Sequence, residues 1–429
     1  MNALDHLPGA AGASGDAHSL AFTSNSRIPA WVYTDHAIYQ RELECIFYRG
    51  HWCYVGLEAE IPAPGDFKRT RLGERSVIMV RDAQGEVNVV ENRCAHRGVA
   101  FCREDFGNRQ KFVCPYHQWQ YDLAGNLKGV PFRNGVKALV DGVVCTHGGM
   151  PADFDPARNG LLRLKVARRG GVVFASFDHE VEPLDQYLGA PVLPWFDRVF
   201  SGRELRVLGY SRQRIPANWK LMQENIKDPY HPGLLHTWFV TFGLWRADQK
   251  AQMVMDAHHR HACMISRRNE GGASAVTQGV TSFKARMKLN DDRLLDVVPE
   301  DWWNGPTVVM MTLFPSLVIQ QQVNSLSTRH LQPVGPDTFD YVWTHFGFAD
   351  DTPEMTTRRL RQANLFGPGG FVSADDGEVI EMAQHSFAAN AGFATLAELD
   401  GIDVHDTDHM VTETLIRGMY EYWRKVMSP

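Results

Sequence analysis

At 429 residues and 44% hydrophobic content, the chain is long enough for two or three domains with sizeable cores. A net charge of −6 without a basic stripe argues against nucleic acid as a partner, and the lack of any apolar run of about eighteen residues argues against a membrane span. Seven cysteines without pairing rhythm, and no secretory signal pattern at the N-terminus, lead us to expect a reducing, cytoplasmic compartment.

In chain order, residues 1–49 read as an N-terminal arm, rich in Ala, Gly, Ser and Asn to about residue 29, followed by a lead-in helix. Residues 50–180 carry short strands and turns. Val77 to Val80 and Val87 to Val90 flank a turn at Asp82-Ala83-Gln84-Gly85, and Val172 to Phe177 follows Gly170-Gly171, so a small all-β domain is expected. Inside it lie Cys94-Ala95-His96 and Cys114-Pro115-Tyr116-His117, each supplying one thiolate and one imidazole. Two Cys on one iron and two His on the other is the ligand set of a Rieske 2Fe-2S cluster. Cys2His2 also closes a structural zinc shell, although such sites usually group the two residue types separately.

Residues 181–429 read as a larger α+β domain with an antiparallel sheet. Strands are expected at about 203–210, 306–313, 317–324 and 338–346. Thr352-Pro353-Glu354 opens a helix running to about Leu365, Gly367-Pro368-Gly369-Gly370 breaks it, and a last amphipathic helix spans roughly Asp408 to Met427. Two imidazoles and one carboxylate with open positions form the facial triad of non-haem Fe(II) oxygenases, and His231 and His236 are the candidate pair. On a straight helix they would point about 140° apart; Pro229, Pro232 and Gly233 supply a distortion. Read alone, two histidines near prolines also suit a structural role. In the amide run after Val318, strand alternation puts Gln320, Gln322 and Asn324 on one face, toward either a pocket or solvent. His258, His259 and His261 are expected at the surface.

Cys94-Ala95-His96-Arg97-Gly98, Cys114-Pro115-Tyr116-His117-Gln118-Trp119 and the segment Gln223-Glu224-Asn225-Ile226-Lys227-Asp228-Pro229-Tyr230-His231-Pro232 resemble the α subunits of Rieske aromatic-ring-hydroxylating oxygenases. The resemblance runs from about residue 30 to the C-terminus. It implies that Cys94, His96, Cys114 and His117 hold a 2Fe-2S cluster, and that His231, His236 and Asp376 hold a mononuclear Fe(II); Trp119 is expected to pack, either in the core or over the cluster. Asp375 is the alternative third ligand, because Ser373-x-x-Asp376 also reads as a capping box. Asp228 would link His117 of the partner subunit to His231, as the catalytic acid between the two centres. Only Ile226 and Lys227 separate Asn225 from Asp228, one residue fewer than in naphthalene-type members. That form resembles the branch acting on aromatic acids such as salicylate, anthranilate and terephthalate.

The implied function is that of a terminal oxygenase adding oxygen from O2 to an aromatic acid, salicylate to gentisate, with 1,2-dioxygenation of anthranilate as the alternative. Gln322 and Ser373 are the expected substrate contacts. No G-x-G-x-x-G opens a helix after a strand, so NADH-derived electrons would arrive through a separate reductase and ferredoxin. The family pattern implies an α3β3 assembly with a small β subunit, or an α3 homotrimer. A Rieske protein that only transfers electrons would need none of His231, His236 and Asp376.

Overall fold

The computed structural model describes residues 24–238, 249–267 and 291–428, so the arm expected at the N-terminus lies mostly outside the described residues. The chain forms two compact units. One comprises Val55–Arg168 with Val172–His179; the other comprises the described residues up to Tyr54, Arg169–Gly171 and the chain from Glu180 onward. The lead-in helix therefore packs as part of the second unit. Among the described residues no helix is long and apolar enough to cross a membrane.

The first unit is built of short antiparallel strands. Val87–Glu91, Arg75–Arg81, Asp66–Leu72 and Phe106–Asn108 form one sheet in that order, and Phe112–Val113, Gln120–Tyr121 and Leu127–Gly129 form another. The expected turn forms because Asp82 Oδ1 accepts from the N–H groups of Gln84 and Glu86, while Gly85 takes a φ of +86°. Phe67, Ile78, Val80, Val90, Phe112 and Tyr121 make the core, and Cys94 and Cys114 join it.

The second unit is organised by a seven-stranded antiparallel sheet. Its strands are β1 (Leu205–Ile215), β2 (Ala251–Met255), β3 (Ala262–Ser266), β4 (Val308–Leu313), β5 (Leu317–Gln322), β6 (Ser325–Gly335) and β7 (Thr338–Phe348). They lie in the order β1-β7-β6-β5-β4-β3-β2. Against them stand helices α1 (His36–Glu42), α2 (Trp219–Lys227), α3 (Pro353–Phe366), α4 (Ser373–Ala389) and α5 (Thr414–Met427). Thr352 caps α3 by accepting from Met355 N–H, with Pro353 at the first helical position. The last helix starts later than its periodicity suggests, leaving 408–413 irregular.

Two departures from the sequence pattern have one cause, buried polarity. Strand β6 carries Ser325, Ser327, Thr328, Arg329, His330 and Gln332, a composition that reads as loop, yet all six are buried. The histidine cluster marks the β2–β3 hairpin, where His258 and His259 occupy the turn, as expected of surface groups. His261 corrects the expectation: it is fully buried, its Nε2 2.9 Å from Tyr187 O and its Nδ1 accepting from Phe314 N–H at 3.0 Å.

Cross-strand register decides which residues share a face. Gln320 pairs with Ser327 and Met310, Gln322 with Ser325 and Val308, and Val318 with Arg329. Paired residues in an antiparallel ladder project to the same side. Gln320, Gln322, Arg329, Val308 and Met310 therefore share one face, and Gln321 stands on the other, where it accepts from Arg198 Nη1 at 2.6 Å. Asn324 lies beyond β5, in the turn, and bonds to Val298 and Glu300.

A buried carboxylate ties the helices together. Glu42, fully buried on α1, accepts from Lys220 Nζ at 2.7 Å and Trp219 Nε1 at 3.0 Å on α2, and from Trp423 Nε1 at 2.7 Å on α5. Burial pushes the Lys220 ammonium pKa down, and Glu42 opposes that shift. Removing the carboxylate would strand a buried cation and two indole N–H groups. Glu42→Ala should therefore cost about 3–5 kcal/mol, measured as a lowered urea midpoint, whereas Glu42→Gln combined with Lys220→Met should recover most of that loss.

Candidate functional site

Two loops of the first unit repeat the same turn. Gly98 N–H donates to Cys94 O and Gln118 N–H to Cys114 O, each at 2.9 Å, and the fourth residue after each cysteine has a positive φ, +72° at Gly98 and +55° at Gln118. The turns bring the side chains of like type together. Both thiols are buried, and burial raises the Cys114 pKa. The His96 and His117 rings lie side by side, half-buried, with centroids 4.7 Å apart.

Trp119 stacks on His96 at 4.7 Å with the planes 3° apart, and Tyr121 Oη lies 3.2 Å from Cys94 Sγ. His96 Nδ1 is buried without a hydrogen-bond partner, the state of a ligand nitrogen reserved for a metal. Thiols inside and imidazoles toward the surface fit a cluster with unlike ends.

In the second unit, α2 begins at Asn218, whose side chain accepts from Lys220 N–H, and ends at Asp228, the residue before Pro229. A residue preceding proline is pushed toward extended backbone, and Asp228 has φ −97° and ψ 99°. Its Oδ1 then accepts from Tyr230 N–H at 2.7 Å and His231 N–H at 3.2 Å, nucleating the short helix Pro232–Leu235 that ends at His236. This break turns the two imidazoles to a common point.

The convergence is on Asp376. Its Oδ1 lies 3.1 Å from His236 Nε2 and 3.5 Å from His231 Nε2, and one ligand atom from each of the three residues falls within 4.8 Å of the others. Two atoms held about 2.1 Å from one ion at a right angle lie about 3 Å apart, so the spacing suits a common cation. Asp375 occupies the outer side, with Oδ2 3.1 Å from His236 Nδ1, and Asp228 Oδ2 stands 3.6 Å from His231 Nδ1. Asn225 Nδ2 donates to Asp376 Oδ1 at 3.2 Å. His236 and Asp376 thus each have a hydrogen-bonded neighbour that sets their orientation, and His231 has a carboxylate facing its outer nitrogen.

Electrostatics agrees with the geometry. Burial alone would depress the His231 pKa, but the carboxylates of Asp228 and Asp376 outweigh it and raise the value to about 10. Burial likewise opposes ionisation of Asp376, yet the two imidazoles hold its carboxyl well below the usual range. A site that retains a proton so firmly is one that favours positive charge, and a metal cation would take the proton's place.

The triad opens on a cavity. Val308, Met310, Met264, Ile226, Val372 and Met410 give it an apolar wall, and Gln322 and Arg329 contribute polar groups from the shared sheet face. The structure does not bring Ser373 to this wall. Its hydroxyl donates to Gln213 Oε1 at 2.6 Å and its carbonyl accepts from Gln213 Nε2 at 2.9 Å, fastening α4 to β1. Nor does Ser373 cap α4: Val372 occupies the cap position and no side chain bonds there. Asn225 and Arg329 escaped the sequence reading as site residues, and Asp375 entered it as the alternative ligand and not as the partner of His236. Of these, Arg329 had a usable signal, its odd spacing from Gln320 and Gln322, which puts it on their face once β5 and β6 are read as a hairpin.

The same two-part organisation appears in known proteins. The Rieske [2Fe-2S] domain model matches residues 51–141, and the model for the ring hydroxylating alpha subunit (catalytic domain) matches residues 202–429. The chain is 67% identical over 405 residues to the salicylate 5-hydroxylase large oxygenase component of Ralstonia sp, covering 94% of this chain and 95% of that one. It is 41% identical to the anthranilate 1,2-dioxygenase large subunit of Burkholderia cepacia, over 94% of each. The solved naphthalene 1,2-dioxygenase from Rhodococcus sp. bound to indole shares the fold, with a TM-score of 0.76 at 24% identity over 94% of this chain and 95% of that one. Cluster loops in a β unit, a histidine–carboxylate triad beside a sheet-walled cavity, and these matches lead to one conclusion: the chain belongs to the family of ring-hydroxylating oxygenase α subunits, which take a Rieske 2Fe-2S cluster and a mononuclear iron.

Proposed function

We propose that this α subunit hydroxylates salicylate to gentisate. The observation that carries the reaction class is the triad of His231, His236 and Asp376 on the wall of a mainly apolar cavity. The choice of salicylate leans on the 67% identity with the salicylate 5-hydroxylase large oxygenase component. The lower identity with an anthranilate 1,2-dioxygenase large subunit favours anthranilate as the second reading.

In this reading Cys94, His96, Cys114 and His117 hold the cluster, and His231, His236 and Asp376 hold the iron. When bound, the cluster supplies single electrons and the iron supplies oxygen activation. The remaining work falls to the protein. Asp375 fixes the tautomer of His236 through its outer ring nitrogen, Asp228 places its negative charge 3.6 Å from the outer nitrogen of His231, and Asn225 keeps the Asp376 carboxylate turned inward. The apolar wall excludes water around the aromatic ring, and Gln322 orients it. Asp228 also links His117 of the partner subunit to His231, which makes oligomeric assembly part of catalysis.

The relatives are named as subunits or components of larger systems. For this chain we assign an α3β3 or α3 assembly, in the cytoplasm, fed by NADH through a separate reductase and ferredoxin.

Asp376→Ala should lose the mononuclear iron and form no product while keeping the cluster's visible spectrum, measured by iron analysis beside absorption. Asp228→Asn keeps an oxygen able to accept from Tyr230 and His231 N–H, so its fold and both metal centres should persist. Its hydroxylation rate should nevertheless fall by about 100-fold; normal turnover would remove Asp228 from the mechanism. Incubated with small subunit, ferredoxin, reductase, NADH and a panel of benzoates, the chain should yield gentisate from salicylate by mass analysis. Catechol from anthranilate in its place would establish the second reading.

A further inference from the structure

A guanidinium inside a protein is costly unless carboxylates or a full set of acceptors surround it. Among the described residues three buried arginines meet that condition, one of them Arg260, which lies against Glu182 and Asp256. Arg359 on α3 is held by Glu300 and Asp351, and Arg417 on α5 by the carbonyls of Asp403, Ala397 and Leu399. Arg329 on β6 does not. It is 2% exposed, stands in the cavity wall, and stacks on Trp343 with Cζ 3.8 Å from the ring centre. Its Nη2 donates to Gln320 Oε1, and its Nε is buried with no hydrogen-bond partner. Among the described residues no carboxylate forms an ion pair with it, and Asp376, the acid of the cavity, is turned to two imidazoles.

We propose that Arg329 is the receptor for the carboxylate of an aromatic acid, and that Gln320 is the positioning residue that aims it. The choice of an aromatic acid rests on the function proposed above; the anion receptor itself rests on the unpaired guanidinium. Gln320 Oε1 accepts from Ser327 Oγ at 3.2 Å and from Arg329, and its Nε2 donates to Gln322 Oε1. This chain fixes the direction of both amides. The Gln322 oxygen is engaged, so its NH2 remains for the cavity beside the free Arg329 donor. Asn225, Gln249 and Ser266 are the other uncharged polar side chains of the lining beside the triad, but what Gln322 and Arg329 present is donors, which match a carboxylate, an acceptor only, and offer nothing to the NH2 of a neutral amide. Val308, Met310 and Val372 receive the ring.

The test is titration calorimetry of salicylate and of salicylamide, its neutral amide, into the metal-loaded oxygenase. The parent protein should bind the acid more tightly by on the order of 100-fold. Arg329→Gln should abolish that preference by weakening the acid alone, with iron content and cluster spectrum unchanged. Arg329→Lys, which keeps the charge and loses the planar fork, should retain part of it. Gln320→Leu should reduce acid binding without changing the amide's. No preference in the parent protein, or a preference that survives Arg329→Gln, overturns the proposal. If Arg329→Gln fails to hold its metals, Arg329→Lys decides: a reduced preference supports the receptor and an unchanged one overturns it. Product formation is scored separately, so an acid bound at Arg329 but never hydroxylated sinks the reaction assignment and leaves the receptor standing.

Discussion

The burial of one negative charge organises the catalytic unit. Asp376 is 3% exposed, and a carboxylate so placed persists only where positive charge and hydrogen-bond donors compensate it. The donors come from Asn225 at the end of α2 and from His231 and His236 on either side of a four-residue helix. That convergence requires α2 to stop at Asp228, the short helix to start immediately, and α4 to begin close by. The Asp228-Pro229 step, the Asp228 cap and the Ser373–Gln213 clasp meet those three requirements. The triad of His231, His236 and Asp376 is thus the point at which several modest local preferences agree.

Much of this was legible without coordinates, because the chemistry of each residue type restricts its neighbours. One thiolate and one imidazole in each half of a loop pair suit a Rieske ligand set, and a Thr-Pro-Glu start with a Gly-Pro-Gly-Gly stop bounded α3 closely. The polar interior was illegible. Strand β6 fails the alternation test because Ser327 and His330 find partners inside the sheet and Arg329 faces the cavity, and His261 is hidden behind a hairpin turn by Tyr187. Ser373 shows the converse error. Its spacing from Asp376 matched a capping pattern and a substrate contact, but the hydroxyl already had a partner 160 positions away on β1. Sequence spacing reports what a group can reach locally and is silent on distant partners.

The two carboxylates Asp375 and Asp376 show how adjacent residues divide a task. Successive side chains on a helix point about 100° apart. One carboxylate therefore reaches the inner nitrogen of His236 and the other its outer nitrogen, the first facing the cavity and the second fixing the ring. Neither acid substitutes for the other, although the sequence alone leaves both open as the inward group.

The pleat of the sheet has an evolutionary corollary. Gln322 of β5 and Arg329 of β6 line the cavity from one face of their hairpin, whereas His231, His236 and Asp376 come from helices and their connections. Mutational drift along one face of a hairpin can accordingly retune which molecule is accepted while the redox machinery is inherited intact. A single scaffold can in this way diversify into enzymes for neutral hydrocarbons and for acids, one alternate residue at a time.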